Sequence, residues 1–381
     1  MWPFSTWPLV WPWLNSDSIN YWPPTLRPDA EKLHRAKKLA EKLGPNLLPQ
    51  LQFSATQQCL ETALGIATYL QSPVRRTLPT APAQKMFGTT ALRQMGPQHG
   101  QPLLVIPSLI NRYHVLDLSD DCSLLRWLAH KNFCVWLVDW QTPGEAEENF
   151  SLNHYVVRLV DIYAHVCRVG RAPAVLGYCL GGLLALPMVQ LAKVPPPTLA
   201  LLATPWDLHA PHARLSQGCA FWLQQWRAGL QAGQPLTAMQ QTQMFASLQP
   251  LLAATKFRRV GQMGEKSLAH FVLLEDWLHG GPPVPARAAL QLLDDFYGHN
   301  LPARGLWRLK GETINPARIT VPTLAVVPED DVIVPPESAL ALVSRMPRIT
   351  LHQPPLGHVG MIVSSRARQE VWEKLAEFLL V

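Results

Sequence analysis

The sequence has few charged residues and no cysteine pattern that would hold a metal. Charged residues make up 16% of the 381 residues and hydrophobic residues 48%, so the chain can bury a large core. None of the six cysteines stands in a CxxC pair, which argues against a zinc site and a redox dithiol. We therefore expect a globular protein without a bound metal.

The N-terminal segment lacks the basic start, the continuous apolar stretch and the small-residue cleavage site of a secretory signal. Prolines 3, 8 and 12 interrupt it, and its apolar part is shorter than the roughly 20 residues that a membrane-spanning helix needs. We expect no transmembrane span, reduced cysteines and a cytoplasmic location.

Lysine and arginine are dispersed along the chain rather than clustered. Thirty-three basic residues against 27 acidic ones give a formal net charge of +6, but the longest basic runs are pairs such as Arg75-Arg76. A protein that follows a nucleic-acid backbone needs a clustered basic surface. We expect no nucleic-acid partner, whereas a small anionic substrate is compatible with this mild positive charge.

Tryptophan, in contrast, is concentrated in one place, because five of the fourteen lie in the first 22 residues. This Trp-rich arm either lies on a lipid or polymer surface or packs into a groove of its own or a neighbouring subunit. After it, the apolar spacing predicts helices over residues 29–44 and 56–71. A connector over residues 72–102 follows, with one candidate strand at residues 84–87.

From residue 103 onward, short apolar runs alternate with helical patterns, which is typical of buried parallel strands joined by helices. The predicted strands are residues 103–107, 135–140, 174–179, 198–203, 323–327 and 349–352. The pattern predicts an α/β protein with a mostly parallel, doubly wound sheet. It stops between residues 207 and 318, which we interpret as a helical cap insertion.

These observations divide the chain into three parts. Residues 1–95 form the Trp-rich arm, the helices and the connector. Residues 96–206 and 319–381 form the α/β core, and residues 207–318 form the cap. No internal repeat interrupts this organisation.

The stretch Gly177-Tyr-Cys-Leu-Gly181 follows a predicted strand and precedes a helical pattern. It matches the nucleophile elbow G-x-S-x-G, with Cys179 in the position of the serine. Glycines flank such a nucleophile because its backbone is strained and neighbouring side chains would collide. The helix N-terminus helps to hold a thiolate and the oxyanion that forms after attack. Cys179 is the candidate nucleophile, and simple burial accounts for the other five cysteines.

An elbow nucleophile needs an acid and a histidine, which follow it in that order. Glu329, Asp330 and Asp331 come directly after the predicted strand 323–327. We select Asp331, because it adjoins an apolar Val-Ile-Val stretch and is the one expected to turn inward. His358 follows the last predicted strand between two glycines and is the candidate base.

Four segments of the sequence resemble the polyhydroxyalkanoate synthases, an α/β-hydrolase family that polymerises (R)-3-hydroxyacyl-coenzyme A. They are residues 106–118 (IPSLINRYHVLDL), 138–143 (VDWQTP), 177–182 (GYCLGG) and 357–366 (GHVGMIVSSR). With the acid loop 330–335 they span most of residues 103–381. Residues 138–143 are similar to the short, two-subunit synthases in particular.

The resemblance implies an acyltransferase that releases coenzyme A through a covalent cysteine thioester and uses no cofactor or metal. It makes Cys179 the nucleophile, His358 the base and Asp331 its partner, with backbone oxyanion donors at Leu180 and Ile110. The implied partners are the acyl-coenzyme A, the growing polyester with its granule surface, and a second copy or a helper subunit. It implies no particular substrate-binding side chain.

Two other functions remain open. One would use the same three residues, and the other would use none of them. A cysteine-dependent hydrolase, such as an intracellular polyester depolymerase or an acyl thioesterase, would need the same three side chains. A non-catalytic protein of the granule surface is favoured only by the Trp-rich arm. The sequence also departs from the synthases, because Val332 stands where they usually carry histidine and residues 207–318 match weakly.

Overall fold

The computed structural model describes residues 47–211 and 214–380, together with residues 31, 34, 35 and 38. The Trp-rich arm lies outside the described residues, and so does nearly all of the predicted helix 29–44. The described residues form two compact units, one within residues 1–74 and 246–272 and the other within residues 75–245 and 273–381. The three-part division expected from the sequence stays a prediction.

The larger unit is built on an eight-stranded sheet. Its strands are β1 Ala83–Phe87, β2 Thr90–Met95, β3 Gln101–Ile106, β4 Phe133–Asp139, β5 Ala174–Tyr178, β6 Leu199–Leu202, β7 Thr323–Val326 and β8 Ile349–His352. They are arranged in the order β1-β2-β4-β3-β5-β6-β7-β8. Strand β2 pairs antiparallel with both β1 and β4, and the other pairs are parallel. All six predicted strands are present, and the predicted fold class is confirmed.

The described residues contain twelve α-helices. They are α1 Leu47–Gln71, α2 Leu124–His130, α3 Leu152–Val169, α4 Leu180–Leu191, α5 Arg214–Gln231, α6 Ala238–Ala246, α7 Pro250–Arg258, α8 Glu265–His279, α9 Ala286–Leu290, α10 Pro336–Val343, α11 Gly360–Val363 and α12 Glu373–Leu379. Two π-helical stretches, Gln291–Gly298 and Arg368–Trp372, continue α9 and precede α12. Helices α5 to α9 fall in the interval where the strand pattern stops, and their role as a cap stays a prediction.

The central strands read as continuous apolar runs because both faces of the sheet are covered. All five residues of β5 are buried. On one face, Leu103 of β3 and Leu176 of β5 belong to the same buried cluster as Leu125 of α2 and Leu375 of α12. Burying each such side chain stabilises the fold by about 1.5–3 kcal/mol, which holds the carboxyl ends of the strands in fixed positions.

The hairpin of β1 and β2 differs from the expectation of a connector with a single strand. Four of the five residues of β1 are exposed, so its sequence lacks an apolar pattern. The hairpin turn is fixed instead by distant groups, because the buried Glu147 carboxylate accepts from the N–H of Thr89 at 3.0 Å. Arg158 donates to the same Glu147 oxygen at 2.8 Å.

The smaller unit packs α1 against α7. Gly65 makes this packing close, since a Cβ there would lie 1.9 Å from the carbonyl oxygen of Phe257. The rings of Tyr69, Phe257 and Phe271 form a cluster with centroid separations of 5.4 to 6.5 Å. Helix α1 covers the predicted helix 56–71 and begins earlier, at Leu47.

Candidate active site

Cys179 lies at the sharp turn between β5 and α4. Its backbone has φ 54° and ψ −124°, a conformation that non-glycine residues rarely adopt. Such strain persists only where the surrounding structure imposes it, and it is concentrated at functional sites. Cys179 is partly exposed at this turn.

Three glycines let the chain pass through this turn without collisions. A Cβ on Gly177 would lie 2.5 Å from the Cα of Gly182, and one on Gly181 would lie 2.2 Å from the carbonyl oxygen of Ile106. A Cβ on Gly182 would lie 1.9 Å from Oγ1 of Thr204. The elbow is therefore wedged between the ends of β3 and β6.

Asp331 and His358 are joined directly behind the elbow, although 27 positions separate them in the chain. Nδ1 of His358 lies 2.7 Å from Oδ2 of Asp331, and both side chains are buried. The other carboxylate oxygen accepts from the N–H groups of Ile333 and Val334 at 2.9 and 2.8 Å. Asp331 is thus held by its own loop and presents one oxygen to the imidazole.

His358 also interacts with Cys179, so the three predicted residues form one chain of contacts. Burial lowers the pKa of the imidazole, but the charges of Asp331 and Cys179 and hydrogen bonds with both raise it well above 6.5. Tyr178, next to the cysteine, donates its hydroxyl hydrogen to the carbonyl oxygen of His358 at 3.3 Å. The environment therefore stabilises the imidazolium that forms when His358 accepts a proton.

Burial distinguishes Asp331 from the two other acidic residues of the same loop, as expected from the sequence. Glu329 and Asp330 are exposed, whereas Asp331 is buried. The apolar residue Val334, which follows them, is buried and turns the loop inward. The catalytic roles of the three residues stay a prediction.

The two predicted oxyanion donors lie on either side of the elbow. Leu180 is the first residue of α4, and an N–H at that position has no acceptor within its helix. Ile110 lies in the loop after β3, where its N–H donates to Oγ of Ser108 at 3.3 Å. Use of Ile110 as a donor would require this long bond to give way, so its role also stays a prediction.

Tyr297 is a candidate site residue that the sequence did not indicate. Burial above all, and then the charges of Cys219 and Cys179, raise the pKa of its phenol well above 10. It belongs to the π-helical stretch Gln291–Gly298, a distortion frequent at functional sites. Nε2 of His209 donates to its carbonyl oxygen at 2.7 Å. A single tyrosine in a helical interval belongs to no motif, so only the folded chain reveals it.

Two further observations apply to residues 47–211 and 214–380. None of the helices there has both the length and the apolar character needed to cross a bilayer. Within the same residues, no group of three or more His, Cys, Asp or Glu side chains is placed to hold a metal ion.

The strand order and the elbow after β5 define the fold of the α/β hydrolases. The crystal structure of BpoC from Mycobacterium tuberculosis has the same fold, with a TM-score of 0.52 over 79% of this chain and 100% of that one. Because the two sequences are 15% identical, this likeness concerns the fold alone.

Within that fold, sequence comparison identifies a narrower group. Residues 92–128 match the family described as Poly-beta-hydroxybutyrate polymerase (PhaC) N-terminus. The poly(3-hydroxyalkanoate) polymerase subunit PhaC of Haloferax mediterranei is 27% identical over 74% of this chain, which spans 59% of that protein. The PhaC subunit of Allochromatium vinosum is 28% identical over 73% of this chain and 80% of its own length. The chain is therefore a relative of the polyhydroxyalkanoate synthases, as its motifs predicted.

Proposed function

We propose that this protein is a polyhydroxyalkanoate synthase, which joins (R)-3-hydroxyacyl groups from coenzyme A thioesters into a polyester. The observation that carries the proposal is the contact chain Asp331–His358–Cys179 at a cysteine elbow, in a relative of PhaC polymerases. In this proposal Cys179 is the nucleophile, His358 the general base and Asp331 the group that orients it.

The first half of the reaction transfers the acyl group to the enzyme. Asp331 accepts from Nδ1 of His358, so Nε2 is the nitrogen that takes the proton from the Cys179 thiol. The thiolate attacks the thioester carbonyl, and the N–H groups of Leu180 and Ile110 stabilise the oxyanion. The carbon–sulfur bond to coenzyme A then breaks, and the departing thiolate takes the proton from His358.

The second half forms the ester bond. The 3-hydroxyl of another monomer or chain gives its proton to His358 and attacks the acyl group on Cys179. The new carbon–oxygen bond replaces the carbon–sulfur bond, and the Cys179 thiolate recovers the proton. No oxidation or reduction occurs, so the reaction needs no redox cofactor.

The use of cysteine suits this sequence of steps. A thiolate that attacks a thioester produces another thioester, so the acyl group stays activated for the incoming hydroxyl. A serine would produce an ester and lose that activation. A cysteine-dependent hydrolase would use the same residues but transfer the acyl group to water.

One assay separates the candidate functions. The protein is incubated with (R)-3-hydroxybutyryl-coenzyme A, and thiol release, free acid and product size are followed together. A synthase releases coenzyme A and forms polyester with little free 3-hydroxybutyrate. A hydrolase would release one free acid for each thiol, and a non-catalytic granule protein would release neither.

The proposal extends to the location of the protein. A synthase that keeps the growing chain on Cys179 stays with its product, so we expect the protein at the surface of polyester granules in the cytoplasm. A second copy or a helper subunit of the kind expected from the short synthases belongs to the same proposal.

A further inference from the structure

A polar cavity of about 310 Å³ opens beside the carboxyl end of β4. Its lining includes Arg93, Arg112, His114, Gln141 and Thr142. The backbone of Gln141 has φ 54°, which holds this part of the loop after β4 in a strained conformation. These side chains bring several N–H and O–H donors to one place outside the Asp331–His358–Cys179 contacts.

The acidic side chain in this cavity is already paired with an arginine. Asp139 is the one acidic residue in the lining, and its Oδ2 accepts from Nε of Arg93 at 2.8 Å. Arg93 also donates from Nη1 to the carbonyl oxygen of Ala81 at 2.8 Å. The lining therefore contains a second cation, Arg112, beyond this ion pair.

His114, in the cavity lining, is exposed to the positive charges of Arg76 and Arg112. Burial first, and then the positive charges of Arg76 and Arg112, lower its pKa to about 4, against the smaller opposing effect of Asp139 and Asp117. The imidazole is therefore neutral at pH 7 and offers one N–H donor. A positive field together with neutral donors fits an anionic group.

The cavity lies on the same edge of the sheet as Cys179. Strands β4, β3 and β5 are neighbours and run parallel, so their carboxyl ends meet at one edge. Neighbouring strands lie about 4.8 Å apart, which separates the ends of β4 and β5 by roughly 10 Å. Ligands of open α/β sheets bind at this edge.

Arg112 belongs to the same loop as the predicted oxyanion donor Ile110, and hydrogen bonds fix its position. Its Nε donates to the carbonyl oxygen of Gly280 at 3.2 Å, and its own carbonyl oxygen accepts from Nε1 of Trp277 at 2.7 Å. The guanidinium is exposed at the mouth of the cavity.

We propose that this cavity binds a phosphoryl group of the coenzyme A part of the substrate, with Arg112 as its charged contact. Gln141, Thr142 and His114 supply neutral donors. The proposal rests on the proposed function, because it takes the substrate to be an acyl-coenzyme A. A guanidinium suits a phosphoryl group, since its planar set of N–H donors matches the phosphate oxygens. Arg112 contributes to binding and takes no part in bond making.

The test compares Arg112→Gln with wild type on three (R)-3-hydroxybutyryl thioesters, of coenzyme A, 3′-dephospho-coenzyme A and pantetheine. Loss of one charge-assisted contact raises KM for the coenzyme A thioester about tenfold or more and leaves kcat within about twofold. The pantetheine thioester has no phosphate, so its KM should be equal in both proteins. A dephospho-coenzyme A thioester that behaves like pantetheine identifies the 3′-phosphate, whereas one that behaves like coenzyme A identifies the diphosphate.

The matched control is Arg345→Gln, which removes the same charge from an exposed position just after α10. It should leave all three KM values unchanged. An equal rise in KM for the pantetheine thioester in Arg112→Gln would mean that Arg112 only holds the loop, and an unchanged KM for coenzyme A would mean that the cavity does not bind phosphate. Either result overturns the proposal.

A binding measurement without turnover tests this proposal independently of the proposed function. Calorimetry measures the Kd of free coenzyme A and of pantetheine for wild type and Arg112→Gln, without any turnover. We expect the Kd of coenzyme A to rise about tenfold or more in the variant. If the protein shows no polymerase activity, the proposed function fails, and the calorimetric difference alone decides whether the cavity binds coenzyme A.

Discussion

His358 is the residue through which the two halves of the candidate site are connected. Its Nδ1 faces the buried carboxylate of Asp331, which leaves Nε2 for the thiol of Cys179. Burial alone would disfavour the imidazolium, but the neighbouring negative charges outweigh burial and raise the pKa of the ring. The acid therefore fixes the orientation of the base and stabilises its charged form.

Replacing Asp331 tests this arrangement at the residue scale. Asp331→Asn keeps an oxygen for the N–H groups of Ile333 and Val334 but removes the charge beside His358. We expect turnover to fall by about a thousandfold or more, measured as the rate of coenzyme A release. Asp330→Asn, in the same loop at an exposed position, should retain nearly full activity. Equal rates for the two variants would exclude Asp331 as the partner of His358.

The residues that could be predicted from the sequence are those that belong to a known motif and follow a predicted strand. Cys179 and Asp331 each follow a fully buried strand, His358 follows the partly exposed strand β8, and their order matches the elbow pattern. Tyr297 follows no strand and belongs to no motif, so only tertiary structure subjects its phenol to the charge of Cys179. Arg112 and Thr142 stand within segments that were noted as resemblances, but their shared cavity depends on how two loops fold together.

The element that matters most is the unit formed by β5, the elbow and α4. Hydrogen bonds continue the sheet into the turn, because the N–H of Cys179 donates to the carbonyl oxygen of Leu202 at 2.8 Å. Gly181 then brings α4 against the end of β3. The strained backbone of Cys179 is thus held from both sides.

Gly181→Ala tests this packing. The added Cβ would lie 2.2 and 2.4 Å from the carbonyl oxygens of Ile106 and Pro107, so the turn must shift. We expect a loss of about 1–3 kcal/mol in unfolding free energy and a fall of more than about tenfold in kcat. Denaturant unfolding and coenzyme A release measure the two effects.

Gly264→Ala is the matched control, since its Cβ would meet nothing within 4 Å. It should leave both stability and kcat near wild type. If Gly181→Ala is as stable and active as this control, the elbow does not depend on the close approach of α4 to β3.

Strands were predictable from the sequence where a short apolar run marks them, and not where pairing alone creates them. The central strands carry continuous apolar runs because helices cover both of their faces. Strand β1 is an exposed edge, and β2 has three half-buried residues at its end, so neither has a strong local pattern. Strand β2 forms by pairing with β4, 40 to 48 positions away, and β1 forms by pairing with β2.

At the scale of the whole molecule, the half-buried His114 should make the fold sensitive to acid. The pKa of His114 is lowered to about 4, whereas an unfolded histidine titrates near 6.5. Below pH 6.5 the unfolded chain therefore binds a proton that the folded chain does not, and stability is lost as pH falls toward 4. His114→Gln should lose less stability than wild type between pH 7 and pH 5, as measured by urea unfolding at both pH values. His99→Gln, at an exposed position, should match wild type, and identical losses in all three proteins would contradict the prediction.

The central claim is that one of six free cysteines carries the growing acyl chain. Its most direct test is a peptide mass spectrum of the wild-type protein after brief incubation with (R)-3-hydroxybutyryl-coenzyme A. We predict 3-hydroxybutyryl groups on the peptide that contains Cys179, and none on the peptides of Cys59, Cys122, Cys134, Cys167 or Cys219. In Cys179→Ala the modification should disappear together with coenzyme A release. Acylation of another cysteine, or polymer formation by Cys179→Ala, would contradict the account.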